Sequence, residues 1–162
     1  MFLLTCIVFG ILLLICNTNV NGNDENNVVN LTSSVFDEEI QRIPHFVLFD
    51  APLSLRCRKF SPIWKQLAKK FNKKKGQKVV ISKIDCSIET DFCYYQKLDD
   101  YPKLKYFYQN NTHVYNESLD EAKLDDLKLM PELTGYVLEM INEYDITTPE
   151  TQQSKPKIHD EL

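Results

Sequence analysis

The chain has 162 residues, a net charge of −4 and five cysteines. That balance speaks against a nucleic-acid partner. Three scattered histidines (His45, His113, His159) and the cysteines show no metal-ligand spacing, so neither a metal nor a cofactor is expected.

In chain order, Met1 to Ile15 is almost wholly apolar. The run is too short to span a bilayer and reads as a secretory signal over residues 1–22, although no Lys or Arg precedes it. At the other end His159-Asp160-Glu161-Leu162 spells HDEL, the address for retention in the endoplasmic reticulum. Together the two signals predict residence in the lumen of that organelle and recognition by a retention receptor. The alternative is a chance tetrapeptide and a buried helix. No second apolar segment follows, so the mature chain is expected to have no membrane span. Cys6 and Cys16 leave with the signal, and Cys57, Cys86 and Cys93 remain in an oxidising compartment. Three is odd, so at least one thiol is unpaired within the molecule. Asn30, Asn110 and Asn116 each open an N-x-Ser/Thr sequon and are candidate glycosylation sites.

Residues 23–27 are polar, and a domain is expected over 28–144, followed by a polar tail over 145–162. Val28 to Thr32 reads as a short strand. Ser33 or Ser34 caps a helix through Phe36, Ile40 and Ile43, with Asp37, Glu38 and Glu39 in its first turn. His45 to Asp50 is a continuous apolar run, suited to a buried strand. Phe60, Ile63, Trp64, Leu67, Ala68 and Phe71 make one helical stripe, with Pro62 as a kink, and a lysine-rich end runs into a turn at Gly76. Val79 to Ile84 is a β-branched strand, and Glu89 to Leu98 a helix. In Lys103 to Tyr108 the two lysines are expected outward. Asn110-Asn111 turns into a return strand over Thr112 to Tyr115, and Pro131 starts a last helix. The segment from Asn116 to Met130 is expected as a long acidic loop. The alternation predicts an α/β domain, a central mixed β-sheet flanked by helices.

Several segments carry a family resemblance over roughly residues 28 to 142. Phe49-Asp50-Ala51-Pro52, then Cys57-Arg58-Lys59-Phe60-Ser61-Pro62-Ile63-Trp64, resembles the strand, active-site loop and kinked helix of a thioredoxin-like fold in the protein disulfide isomerase family. Val79 to Cys86 resembles the next strand, and Tyr101-Pro102-Lys103-Leu104 the turn whose proline is cis. The resemblance implies a Trp-Cys-Gly-His-Cys site where this chain reads Leu53-Ser54-Leu55-Arg56-Cys57. Ser54 replaces the first cysteine, and only Cys57 survives. Thiol–disulfide exchange begins with a thiolate, and a serine hydroxyl has no comparable anion near neutral pH. Ser54 is therefore expected as a helix cap rather than a nucleophile, with His45 the one conceivable base nearby. Cys57 is expected as a buried thiol, inert if burial outweighs its flanking arginines. The buried glutamate of the family falls on Leu48, and no arginine follows Arg58 to serve as its mobile one.

The resemblance also implies a disulfide between Cys86 and Cys93, and a seven-residue spacing can close one. Two free thiols or a second redox pair are the alternatives. Tyr101 and Pro102 hold the family's peptide-binding place, with aromatics Tyr94, Tyr95, Tyr106, Phe107 and Tyr108 nearby in sequence. The expected function is assistance of protein folding by binding unfolded or cysteine-bearing secretory proteins without dithiol catalysis. Alternatives are weak exchange through Cys57, its residual catalytic candidate, and a glycosylated adaptor.

Overall fold

The computed structural model describes residues 27–73, 76–124 and 126–144. Signal, most of the polar segment and the HDEL tail lie outside the described residues. Ten elements follow in order: β1 (Val29–Asn30), α1 (Ser33–Arg42), β2 (His45–Asp50), α2 (Leu55–Phe71), β3 (Val80–Asp85), α3 (Thr90–Tyr95), β4 (Lys103–Tyr108), β5 (Asn111–Val114), α4 (Glu121–Leu124) and α5 (Leu129–Glu143). The five strands form one mixed sheet in the order β1-β3-β2-β4-β5. β1 and β2 run parallel to β3, while β4 runs antiparallel to β2 and β5. This is the thioredoxin-like α/β fold.

Strand periodicity splits the core across the sheet. Phe46 and Leu48 of β2 face α2 and α5, where they meet Phe60, Trp64, Leu133 and Val137. Val47 and Phe49 face the other way, toward Phe36 and Ile40 of α1, Phe107 and the cysteines Cys86 and Cys93. A central strand covered on both faces needs a continuous apolar run, and β2 has one. The Trp64 indole N–H donates to the Ser82 carbonyl at 3.1 Å, which ties α2 to β3.

Several expectations needed correction. Helix α1 starts at Ser33 after Thr32, so neither serine caps it and the acids fall beyond its first turn. The Ser33 peptide N–H is instead taken by the Glu89 carboxylate at 3.1 Å. Helix α3 stops at Tyr95, short of Leu98, because Lys97 adopts φ 52°. Helix α5 begins at Leu129, two residues before Pro131. Lys105 does not point to solvent. Its amine donates to the Gln96 carbonyl at 2.7 Å, since β4 is an interior strand with both faces covered. The acidic segment after Asn116 is not a plain loop either. Leu119 and Leu124 bury themselves in the main core, and α4 forms around the second anchor.

Candidate functional site

The carboxyl end of β2 and the amino end of α2 meet at residues 50–57. Ser54 stands at the N-cap with ψ 132°, the extended backbone that a cap requires. Its carbonyl accepts the first helical bond from Arg58 N–H at 3.1 Å, and its own N–H closes a turn onto Ala51 O at 2.8 Å. The hydroxyl makes no capping bond, contrary to the expected role.

Cys57 is buried and is the free cysteine among the described residues. Its sulfur accepts the Ala51 peptide N–H at 3.4 Å. Burial pushes the thiol pKa up, and this outweighs the help that the Ala51 N–H and Ser54 hydroxyl give to the anion. Arg56 does not oppose that effect, because its guanidinium is engaged with Asp100 at 3.1 Å. Arg58 points into solvent.

Asp50 is the residue that sequence reasoning missed. Leu48 is buried among apolar side chains and carries no proton-handling group. Two residues on, and therefore on the same face of β2, Asp50 lies close enough to Cys57 for each group to bear on the other's titration. Burial raises the pKa of Asp50 too, moderated by the neighbouring Cys57 thiol and by Lys83. Asp50, Leu48, Ser61, Trp64 and Lys83 border a cavity of about 20 Å³, room for roughly one water. A carboxylate therefore stands at this end of β2, two positions on from Leu48. The legible signal was an acid ending an otherwise apolar strand.

His45 is excluded as a base for Ser54. It sits at the opposite end of β2, roughly 16 Å away along the strand at about 3.3 Å per residue. The ring is buried, its Nδ1 lies 3.1 Å from Ser82 Oγ, and burial lowers its pKa to about 4.

The Tyr101–Pro102 peptide bond is cis. Pro102 is buried and Tyr101 half-buried. Beside them, Tyr94, Tyr95, Lys97, Leu98 and Tyr101 line an open cavity of about 480 Å³, floored by Cys86 and Cys93. Those two cysteines form a disulfide, with Cα atoms 5.7 Å apart. Tyr94 and Tyr95 are about four-fifths exposed, and Leu53 at the α2 entrance is 91% exposed. Tyr106 and Phe107, by contrast, are core.

The thioredoxin family model matches residues 27–130, most of the described chain. The chain belongs to the thioredoxin family. Within it the chain is protein disulfide isomerase-like. It is 31% identical over 142 residues to the protein disulfide-isomerase of Drosophila melanogaster, covering 86% of this chain and 27% of that protein. It is 34% identical over 84 residues to the thioredoxin domain-containing protein 5 homolog of the same species, covering 52% of this chain and 20% of that protein. The chain therefore spans about a fifth to a quarter of the length of these relatives. The first thioredoxin domain of mouse protein disulfide-isomerase A4 shares the fold, with a TM-score of 0.61 at 20% identity over 88% of this chain and 94% of that one.

Proposed function

We propose that this chain is a lumenal endoplasmic-reticulum protein that assists folding by binding clients, without running dithiol redox catalysis. The observation that carries the reading is the site itself. A two-thiol cycle needs an exposed attacking sulfur and a second sulfur to resolve the mixed disulfide. Here the helix cap is Ser54, and the remaining thiol, Cys57, is buried with its pKa raised. The client surface is the cavity beside Tyr101 and Pro102, extended by the exposed rings of Tyr94 and Tyr95 and by Leu53. Exposed apolar groups gathered at a cavity, as Tyr94 and Tyr95 are here, suit extended, unfolded segments. Residence in the lumen rests on residues 1–22 and on the receptor-read address His159 to Leu162.

One observation favours a second reading. The Asp50 carboxylate beside Cys57 is a proton acceptor, so the Cys57 thiolate can attack a partner's disulfide, forming a mixed disulfide while the partner's second sulfur leaves as a thiolate, a one-shot trap with no resolving thiol. Alkylation of the native protein at pH 7 separates the two. The binding reading expects Cys57 to be modified only as fast as the chain unfolds, with no insulin reduction. Rapid modification, together with covalent capture of a disulfide-bearing partner that disappears in Cys57→Ala, would defeat it.

A further inference from the structure

An open sheet has two edges, and each edge strand offers unpaired peptide groups to any extended chain. Here the edges are β1 and β5. β1 is two residues long and covers Ser82 and Lys83 of β3 alone. Next to it the Asn72 side chain occupies the Ile81 N–H and C=O, at 2.7 and 2.8 Å, and so covers one more position of that edge. β5 is four residues long, and no further strand lies outside it among the described residues. Each edge carries a partly exposed valine, Val29 at 38% and Val114 at 36%. Neither edge strand contains the lysine or proline that commonly blunts such a surface.

All three sequons fall on these two edges. Asn30 is the second residue of β1, Asn110 immediately precedes β5, and Asn116 follows β5 by two residues. Each is exposed. The interior strands β2, β3 and β4 contain no sequon, and neither do α1, α2 or α5. Asn27, Asn72, Asn111 and Asn142 all lack Ser or Thr two places on. The sites are thus sorted by position in the sheet, Asn30 and Asn116 at the edge strands and Asn110 in the turn into β5, where its Oδ1 accepts from Gln41 Nε2 of α1 at 3.5 Å, and none lines the cavity beside Tyr101.

We propose that Asn30, Asn110 and Asn116 carry N-linked glycans that shield both open edges of the sheet against strand addition. The inference rests on the lumenal reading above, because the sugar donor is a lipid-linked pyrophosphate oligosaccharide of that compartment. The amide Nδ2 attacks the anomeric carbon of the donor's first sugar and loses one proton. A C–N bond forms, the C–O bond to pyrophosphate breaks, and the lipid pyrophosphate leaves with the bonding electrons. No redox change occurs. A large solvated oligosaccharide beside each edge then excludes an incoming strand by volume, while the client cavity stays clear.

The test uses the full chain produced in eukaryotic cells. Protease protection in isolated vesicles reports its compartment. Glycosidase treatment in heavy-oxygen water, followed by peptide mapping, reports which asparagines became aspartate. Light scattering before and after native deglycosylation reports self-association. The expected result is a protected chain, occupied at Asn30 and at one or both of Asn110 and Asn116. Its monomer signal is lost when the sugars are removed, and hydrogen exchange at β1 and β5 slows in the resulting assembly. A protected chain that is bare at Asn30, or bare at both Asn110 and Asn116, overturns the inference and leaves the lumenal reading intact. A chain outside the vesicles with residues 1–22 uncleaved overturns both. A deglycosylated chain that stays monomeric, with unchanged exchange at the edges, overturns the shielding role.

Discussion

Strand β2 carries an ionisable side chain at each end, and the two ends have different fates. His45 and Asp50 are both drawn out of water, and burial drives each toward its neutral form. The imidazole pKa falls to about 4, and the carboxyl pKa rises. At the His45 end the ring meets Ser82 inside a closed core, with Glu39 and Arg42 of α1 as its nearest charges. At the Asp50 end the strand runs into the start of α2, and the carboxylate meets a thiol. The same desolvation leaves a lone imidazole in the core at one end and a carboxylate beside a buried thiol at the other. What differs is the junction, since only the Asp50 end leads into a helix N-terminus, that of α2.

The largest effect expected is at the His45 end. Between pH 6.5 and 4 the unfolded chain binds a proton that His45 refuses in the fold, so stability is lost as pH falls through that window. The loss is on the order of 3 kcal/mol, and His45→Gln should flatten it, as read from urea midpoints against pH. Asp50 acts with the opposite sign. Its raised pKa means that the fold holds a proton the unfolded chain has released, so protonation there favours the fold as pH drops. An acid limb just as steep in His45→Gln would remove the contrast between the two ends.

The next effect is chemical. Ser54→Cys restores two thiols, and the sequence alone predicts little activity because Leu48 supplies no carboxylate. The position of Asp50 revises that expectation. The repaired site should reduce insulin, and adding Asp50→Asn should lower the rate by about 100-fold, in the usual range for a proton-transfer group. Equal rates in the two variants would show that the Asp50 carboxylate does nothing. A smaller change tests what holds this end in place. Cys86 N–H donates to the Asp50 carbonyl at 2.8 Å, so the disulfide anchors the strand end. The paired change Cys86→Ser and Cys93→Ser should cost about 2–3 kcal/mol by loop entropy, measured by denaturant unfolding. Native Cys57 should remain slow to alkylate in that variant. Smallest is Arg56→Met. It breaks a half-exposed ion pair to Asp100 and should shift stability by less than about 1 kcal/mol. It should also leave alkylation of Cys57 unchanged, since the guanidinium is not committed to the thiol.

Much of this protein is written in local pattern. The unbroken apolar run of β2, the stripe from Phe60 to Phe71 and the strand–helix alternation are enough to imply a mixed sheet with helices on both faces. The buried setting of Cys57 was equally legible, because it sits on the apolar stripe of α2 with Phe60 and Trp64. Tertiary structure alone decided the rest. Lys105 reads as outward by alternation, yet it is covered, since β5 and α1 make β4 an interior strand. Asp50 reads as the polar end of a strand, yet it is partly desolvated beside the Cys57 thiol, since α2 folds back over it. The first and last sequons lie 86 residues apart, at Asn30 and Asn116, yet the sheet order brings all three to its two edge strands and the turn into one of them. Periodicity reports which face a residue lies on. It does not report what arrives from elsewhere in the chain to cover that face, and the electrostatics of this site depend on that arrival.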